Sequence, residues 1–252
     1  MPYAHNQGVR IHFTVEGEGP PLVLQHGFAS SLQTWYITGY VEALQSDYQL
    51  ILVDARGHGG SEKPHDPAAY AVSLRAGDVV AVLDTLHLDQ AHYWGYSMGG
   101  WIGYGIAKYA PERVQTFILG GVHPYGRQLP PASRLDGRDP EAFINALLGR
   151  LGVDQTAISP ELRALLFAND FQALAAAQQD YPSLEEIIPT MTMPCLLYAG
   201  ENDATYYAKT QACAQHLPNA TFVSLAGLDH IAAFRASTLV LPYVTTFLRE
   251  HS

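Results

Sequence analysis

The feature that most constrains the fold is an alternation of short apolar segments with longer amphipathic ones. Strands that alternate with helices pair in parallel, and the helices then cover both faces of the sheet. The sequence therefore predicts an α/β fold with a mostly parallel central sheet and helices on both faces. An antiparallel edge strand is predicted over 9–15, where polar and apolar residues alternate. The predicted buried strands are 22–25, 49–53, 91–96, 114–119, 194–199 and 221–225.

A long stretch between the strands at 114–119 and 194–199 departs from this alternation. It predicts several helices with prolines between them, which indicates a small helical cap inserted late in the sheet. We expect a single domain in which residues 1–122 and 191–252 form the core and residues 123–190 form the cap. The helices predicted in the cap are 140–151, 160–169 and 171–179, and those predicted in the core include 73–86, 100–109 and 239–250.

Residues 95–99 read Gly-Tyr-Ser-Met-Gly, between the strand that ends at Tyr96 and the helix over 100–109. A serine between two glycines at such a joint is typical of a nucleophile elbow, where a strained turn lifts the hydroxyl out of the sheet edge. Side chains at Gly95 and Gly99 would collide with the neighbouring strand or helix. Ser97 is therefore the candidate nucleophile.

A serine hydroxyl needs a base to take its proton and a carboxylate to orient that base. His230 follows the strand at 221–225 and is the predicted base. Asp203 follows the strand at 194–199 and is the predicted acid. Glu201 is an alternative acid, because its longer side chain can reach the imidazole from two residues earlier. Asp229 is disfavoured, because adjacent side chains in an extended loop point apart.

Two loops after early strands complete the predicted chemistry. The loop at His26-Gly27-Phe28 turns a backbone N–H into the site, so we expect the N–H groups of Phe28 and Met98 to form an oxyanion hole. His26 is expected to brace this loop. In the second loop, at 54–61, Asp54 and Arg56 are expected to pair beneath the site.

Together these motifs resemble the α/β-hydrolase fold superfamily, in the branch of small capped serine esterases and lactonases. The resemblance spans nearly the whole chain, and the order serine, aspartate, histidine is that of this family. It implies a catalytic triad and no cofactor. Dehalogenases and epoxide hydrolases of the same fold attack with an aspartate, so a serine at position 97 disfavours both. The matching segments are 26–28, 54–61, 95–99, 194–203 and 227–230.

Candidate pocket residues are the aromatic side chains near strand ends and the apolar side chains of the predicted cap. His123 and Tyr125 directly follow the carboxyl end of a strand, where ligands collect in open α/β sheets. The other candidates for substrate binding are Trp35, Tyr96, Trp101, Phe143, Leu147, Phe167 and Tyr206.

The predicted function is hydrolysis of carboxylic esters or lactones of small uncharged substrates through an acyl-enzyme. A cofactor-free perhydrolase or haloperoxidase, or a carbon–carbon bond hydrolase, would use the same triad. A ligand-sensing receptor that retains a slow triad is an alternative of a different class.

Charge and hydropathy limit the partners. The formal net charge is −10 with 14 basic residues, which disfavours nucleic acid and acidic membrane surfaces. We expect no membrane association, because no apolar run approaches the roughly 20 residues that span a bilayer. The N-terminus lacks the features of a signal peptide, and we expect a cytoplasmic protein. No metal site is predicted, because no histidines have ligand spacing on a helix. The oligomeric state is not predicted.

Overall fold

The computed structural model describes residues 2–126, 137–153, 158–178 and 181–251. Eight strands in this part of the chain form one sheet in the order β1-β2-β4-β3-β5-β6-β7-β8. All pairs from β4 to β8 along this order are parallel, whereas β1 pairs with β2 and β2 with β4 in antiparallel fashion. The strands are β1 (Tyr3–Asn6), β2 (Val9–Glu16), β3 (Pro21–Gln25), β4 (Gln49–Val53), β5 (Ala91–Tyr96), β6 (Val114–Gly120), β7 (Cys195–Gly200) and β8 (Ala220–Leu225).

The mostly parallel sheet is confirmed, and the six predicted buried strands match to within one residue at each end. The prediction that residues 9–15 form the edge strand is wrong, because β1 pairs along the outer side of β2. Gln7 and Gly8 both have positive φ, at 47° and 81°, which is the conformation of a two-residue hairpin turn. This tight turn returns the chain against β2.

Alternate residues along each strand enter two different apolar layers, as the period of a strand requires. In β4, Ile51 and Val53 pack on one face of the sheet, and Leu50 and Leu52 pack on the other. Both faces are therefore buried, which is the reason that the central strands read as continuous apolar runs.

Helices cover both layers. The helix α3 occupies one face together with α4, and α10 packs with α2 on the other. The predictions for α3 and α10 are displaced by one and two residues at their starts. The helices are α1 (Gln33–Ile37), α2 (Tyr40–Leu44), α3 (Val72–Thr85), α4 (Met98–Tyr109), α5 (Pro140–Arg150), α6 (Pro160–Phe167), α7 (Phe171–Ala177), α8 (Tyr207–His216), α9 (His230–Arg235) and α10 (Ser237–Glu250). In the part of the chain that is described, none is long and apolar enough to cross a membrane.

The stretch predicted as a cap, 123–190, lies between β6 and β7 and is called the insertion below. It contains α5, α6 and α7, each preceded by a capping side chain: Asp139, Ser159 and Asp170 accept hydrogen bonds from backbone N–H groups of the first turn. Helix α7 ends two residues earlier than predicted, and position 179 lies outside the described residues, as do 127–136, 154–157 and 180.

Candidate active site

Ser97 occupies the turn between β5 and α4. Its backbone has φ 52° and ψ −113°, a conformation that L-residues rarely adopt and that costs about 1–3 kcal/mol. Its N–H donates to the Gly120 carbonyl of the neighbouring strand at 2.8 Å. The strained turn is thus held by the sheet, and it presents the hydroxyl at the carboxyl edge.

The glycines beside Ser97 are required by close backbone contacts. A Cβ at Gly95 would overlap the Gly99 carbonyl group, and a Cβ at Gly99 would overlap the Gln25 carbonyl oxygen at the end of β3. The predicted steric role of both glycines is confirmed. Their absence of side chains lets α4 start directly against the sheet edge.

The structure brings Ser97, His230 and Asp203 into one hydrogen-bonded line. His230 Nε2 lies 3.0 Å from Ser97 Oγ, and His230 Nδ1 lies 2.5 Å from Asp203 Oδ2. Asp203 is 1% exposed, and its other oxygen, Oδ1, accepts from the N–H groups of Thr205 and Tyr206 at 3.2 and 3.0 Å. With a carboxylate at Nδ1, the imidazole carries its proton there and leaves Nε2 to accept from the serine.

Neighbouring loops meet closely enough to place these side chains together. The N–H of Asn202 donates to the Leu228 carbonyl at 2.9 Å, and its side chain donates to the Gly227 carbonyl at the same distance. A Cβ at Gly200 would overlap the Leu228 carbonyl oxygen. This contact joins the loop after β7 to the loop that carries His230.

The two alternative acids have other roles in the structure. Asp229 Oδ1 accepts from the N–H groups of Ile231 and Ala232 and caps α9. Glu201 is exposed and accepts from Ser224 Oγ at 2.8 Å. Of the three carboxylates that the sequence offered, Asp203 is the one in contact with the imidazole.

The loop after β3 lies against the serine. A Cβ built at Gly27 would be 3.5 Å from Ser97 Cβ, so the backbone of this loop borders the hydroxyl. Met98 is the first residue of α4, and the N–H of a first helical residue has no partner within its helix. Among the described residues, no hydrogen bond uses the N–H of Phe28. These two groups are the ones predicted to form an oxyanion hole.

Two buried histidines hold this loop. His26 Nε2 accepts from the Ala55 N–H at 3.1 Å, and Nδ1 contacts the Gly27 carbonyl at 2.7 Å. His58 Nε2 accepts from the Ala29 N–H at 3.1 Å. Burial lowers the pKa of His26, and burial together with nearby His26 lowers the pKa of His58 well below its ordinary value. Burial thus favours the neutral form of both rings, which is the form whose Nε2 can accept a hydrogen bond.

The expected pair of Asp54 with Arg56 does not form. Arg56 makes a bidentate ion pair with Asp78 of α3, at 2.6 and 2.5 Å. Asp54 contacts His12 Nδ1 at 2.8 Å and accepts from the Leu32 N–H at 2.8 Å. Each of the two charges instead has its partner in a distant part of the chain.

Two tyrosine rings flank the imidazole of His230. Tyr206 stacks on it with a centroid distance of 4.8 Å and an interplanar angle of 28°. Tyr96 lies on it at 5.2 Å, and its hydroxyl donates to the His230 carbonyl at 2.5 Å. Burial raises the pKa of Tyr96 well above its ordinary value, so it remains a donor. The rings fix the plane of the imidazole.

A cavity of about 380 Å³ opens beside Ser97 and His230. Its walls come both from loops at the carboxyl edge of the sheet and from the insertion, and most of the lining is apolar. Six of the nine residues predicted to bind substrate line it: Tyr96, Trp101, His123, Tyr125, Leu147 and Tyr206. Ser97 and His230 of the predicted triad and the oxyanion candidates Phe28 and Met98 line it as well.

Comparison with known proteins identifies the family. The profile of the alpha/beta hydrolase fold matches residues 20–155, more than half of the chain. The chain belongs to this family.

Full-length relatives agree with the assignment. The chain is similar to the enol-lactonase from Burkholderia xenovorans LB400, with 26% identity, a TM-score of 0.87, and coverage of 98% of this chain and 100% of that one. It is also similar to Est816, described as an N-acyl homoserine lactone degrading enzyme, with 28% identity, a TM-score of 0.82 and the same coverage. The provisionally named 2-succinyl-6-hydroxy-2,4-cyclohexadiene-1-carboxylate synthase of Bacillus subtilis (strain 168) is 26% identical over 94% of this chain and 95% of its own length. Together with the family assignment, the hydrolases among such relatives support a general hydrolase role.

Three predicted pocket residues do not line the cavity of this hydrolase-fold protein. Trp35 is fully buried in the core, edge-on to Trp94 and Phe234. Its helix turns Thr34 and Thr38, one helical turn apart, toward the cavity, and Trp35 consequently faces the sheet.

The other two belong to the interior of the insertion. Phe143 is buried between Phe28 and Phe171, at 6.4 and 5.4 Å between ring centroids. Phe167 packs against Phe171 at 6.1 Å and under the Arg163 guanidinium. The helices α5, α6 and α7 must bury their own apolar faces against one another, and these two rings serve that purpose.

Sequence reasoning missed several residues around the site. His58 gave no local signal, because its partner Ala29 is distant in sequence. Thr34 of α1 and Thr38 directly after it line the cavity, and no helix was predicted there. Gln178 and Arg150 line it from the insertion, within two predicted helices. Polar side chains in predicted helices are ordinarily solvent-exposed, and only the packing of the insertion over the sheet edge turns them inward.

Proposed function

We propose that this protein is a serine hydrolase that cleaves carboxylic esters or lactones through an acyl-enzyme. The observation that carries the proposal is the continuous line from Ser97 Oγ through His230 to Asp203, at 3.0 and 2.5 Å. In such a line the imidazole can take the serine proton while the carboxylate fixes its tautomer and stabilises the imidazolium that forms.

The proposed reaction has two halves. Ser97 Oγ attacks the carbonyl carbon as His230 Nε2 takes its proton, and the tetrahedral oxyanion accepts hydrogen bonds from the N–H groups of Phe28 and Met98. The intermediate then expels the alkoxide, which takes the proton from His230. A water molecule, activated by the same imidazole, attacks the acyl-enzyme and releases the acid. Each oxyanion donor of this kind is worth about 3–4 kcal/mol of barrier.

The cavity supports an ester or lactone of modest size. About 380 Å³ of mostly apolar space accommodates a small acyl chain or ring, and water is largely excluded when it is filled. We propose that the insertion acts as a cap which sets this acyl selectivity. Two similar structures, an enol-lactonase and an N-acyl homoserine lactone degrading enzyme, favour the same substrate class.

Hydrolysis of short p-nitrophenyl esters by the purified chain tests the proposal. We expect multiple turnovers on p-nitrophenyl butanoate and loss of activity by at least about 1,000-fold in Ser97→Ala, because this change removes the nucleophile. Ser31→Ala is a matched control, since Ser31 lies outside the triad and its side chain takes part in none of the described hydrogen bonds.

Three other outcomes would replace the proposal. A single slow burst with a tightly retained product would indicate a ligand-sensing receptor. Activity confined to diketones would indicate a carbon–carbon bond hydrolase, and activity confined to peroxide with a carboxylic acid would indicate a perhydrolase.

A further inference from the structure

The cavity wall contains two buried N–H donors for which no acceptor is found within residues 2–126, 137–153, 158–178 and 181–251. We propose that the indole N–H of Trp101 and the amide group of Gln178 form a binding site for an oxygen acceptor on the substrate, separate from the scissile carbonyl. This inference rests on the proposed function and specifies its substrates: esters or lactones that carry a further keto, amide or carboxylate oxygen.

The orientation of Gln178 is fixed by a neighbouring guanidinium. Gln178 is 6% exposed, and its Oε1 accepts from Arg150 Nη1 at 3.0 Å. A guanidinium can only donate, so the oxygen of the amide must face Arg150 and the amino group must face the other way. Gln178 Nε2 is buried and finds no acceptor among the described residues. The residue lines the cavity.

Trp101 offers the second donor. It is 5% exposed and lines the cavity from α4, and its ring lies edge-on to Tyr181 at 4.2 Å. Its Nε1 likewise meets no acceptor in the described part of the chain. Trp35 Nε1 also lacks an acceptor among the described residues, but Trp35 lies in the core and does not line the cavity, so a ligand in the cavity cannot reach it.

Arg75 places the two donors in one neighbourhood. Its Nη2 donates to the carbonyl of Ala177, the residue before Gln178, at 2.8 Å. The same guanidinium lies 5.8 Å from the centre of the Trp101 ring. Arg75 is 2% exposed, and none of the described ion pairs includes it. Arg75 is not part of the cavity lining, and its described hydrogen bonds go to the carbonyls of Tyr70 and Ala177, so it fixes the backbone beside Gln178 next to the Trp101 ring.

Unpartnered buried donors discriminate strongly between ligands. A buried N–H that loses its acceptor costs more than a satisfied one gains, so a substrate that supplies an oxygen is favoured over one that presents a methylene there. Sites built from hydrogen-bond donors reject analogues without the acceptor far more strongly than apolar pockets distinguish chain lengths.

A series of methyl esters tests the inference. Hydrolysis of methyl heptanoate is compared with that of methyl 4-oxo-, 5-oxo- and 6-oxoheptanoate and of monomethyl adipate by acid release. We expect at least one oxygenated ester to exceed methyl heptanoate by roughly tenfold in kcat/KM. The highest kcat/KM for a keto ester would indicate that the site binds a neutral acceptor, whereas the highest kcat/KM for monomethyl adipate would indicate that it binds a carboxylate.

The preference is then measured in Trp101→Phe and Gln178→Met: each removes one donor, the first keeps an aromatic ring, and the second nearly conserves the side-chain volume. The readout is the ratio of kcat/KM for the preferred oxygenated ester to kcat/KM for methyl heptanoate, because a general loss of activity cancels in this ratio. We expect it to fall to within about twofold of one in each variant. Gln172→Met makes the same chemical change at an exposed position of α7 and should retain the wild-type ratio and activity.

Equal kcat/KM for all esters, or a preference that survives both substitutions, would overturn the inference while leaving ester hydrolysis intact. Absence of any ester hydrolysis would instead count against the proposed function. In that case calorimetric binding of each of the three keto esters and of methyl heptanoate to Ser97→Ala decides the inference alone: tighter binding of at least one keto ester supports it, and equal binding of all four refutes it. Thermal unfolding identifies a variant that has not folded, and the other variant then decides.

Discussion

Substitution of Asp203 by asparagine removes a charge while keeping the shape of the side chain. Asp203 uses one oxygen for His230 Nδ1 and the other for the N–H groups of Thr205 and Tyr206. An asparagine has one oxygen for these two tasks. If its oxygen stays with the backbone donors, its amino group faces Nδ1, the imidazole proton moves to Nε2, and the ring can no longer take the proton of Ser97.

The alternative orientation sets the size of the effect. Turning the amide so that its oxygen meets Nδ1 leaves two backbone N–H groups facing an amino group, and each unsatisfied donor costs about 1–3 kcal/mol. The active tautomer is then disfavoured by about 2–6 kcal/mol. Since about 1.4 kcal/mol is a factor of ten, this corresponds to roughly 30-fold to 20,000-fold. Asparagine also lacks the negative charge that stabilises the imidazolium, which adds to this loss. We therefore expect kcat/KM to fall by at least about 100-fold.

The assay is hydrolysis of p-nitrophenyl butanoate near neutral pH, with thermal unfolding to verify the fold. Glu201→Gln is the matched control, because it also replaces a carboxylate by an amide in the same loop, but at an exposed position. We expect it to alter kcat/KM by less than about twofold. A loss of under tenfold in Asp203→Asn, or an equal loss in Glu201→Gln, would refute the assignment of Asp203 as the orienting acid.

Two further predictions concern stability. Burial lowers the pKa of His58 below its unfolded-state value of about 6.5. As pH falls below 6.5, His58 therefore binds a proton in the unfolded chain before it does so in the folded one. The free energy of unfolding then decreases by up to about 1.4 kcal/mol per pH unit for this group. Urea unfolding between about pH 7.5 and 5 should show a shallower decline in His58→Gln; an identical slope would contradict a neutral His58. Asp78→Asn should cost about 3–5 kcal/mol in urea unfolding at neutral pH, because it leaves the Arg56 guanidinium buried without its carboxylate. Glu141→Gln, which removes an exposed ion pair, should cost under about 1 kcal/mol, and comparable losses in the two variants would show that burial does not set the cost.

Features that depend on local pattern were predictable from the sequence. The bounds of the six buried strands were predicted to within one residue, because short apolar runs bounded by turns leave little choice of where a strand begins and ends. Gly95 and Gly99 marked the turn around Ser97, since only glycine tolerates the backbone approaching so closely. The outer strand β1 was missed because four residues of mixed polarity give no clear period.

Features that depend on distant packing were not predictable. The sequence placed Trp35, Phe143 and Phe167 at the pocket by residue type, and the structure assigns them to apolar cores. The choice of face on a short helix is settled by whatever lies opposite, and this partner comes from another part of the chain. The same reason explains why Arg56 pairs with Asp78 and not with Asp54.

The amino-acid sequence by itself determined the layered α/β sheet and the position of the candidate nucleophile, because strand length, helix period and the steric need for glycine act over a few residues. Only the tertiary structure decided between Asp203 and Glu201 as the partner of the imidazole, showed that His58 holds the loop after β3 together with His26, and determined which side chains of the insertion turn toward the cavity. Those outcomes depend on contacts between residues tens to more than a hundred positions apart, where burial and hydrogen bonding select among partners that the local sequence leaves equivalent.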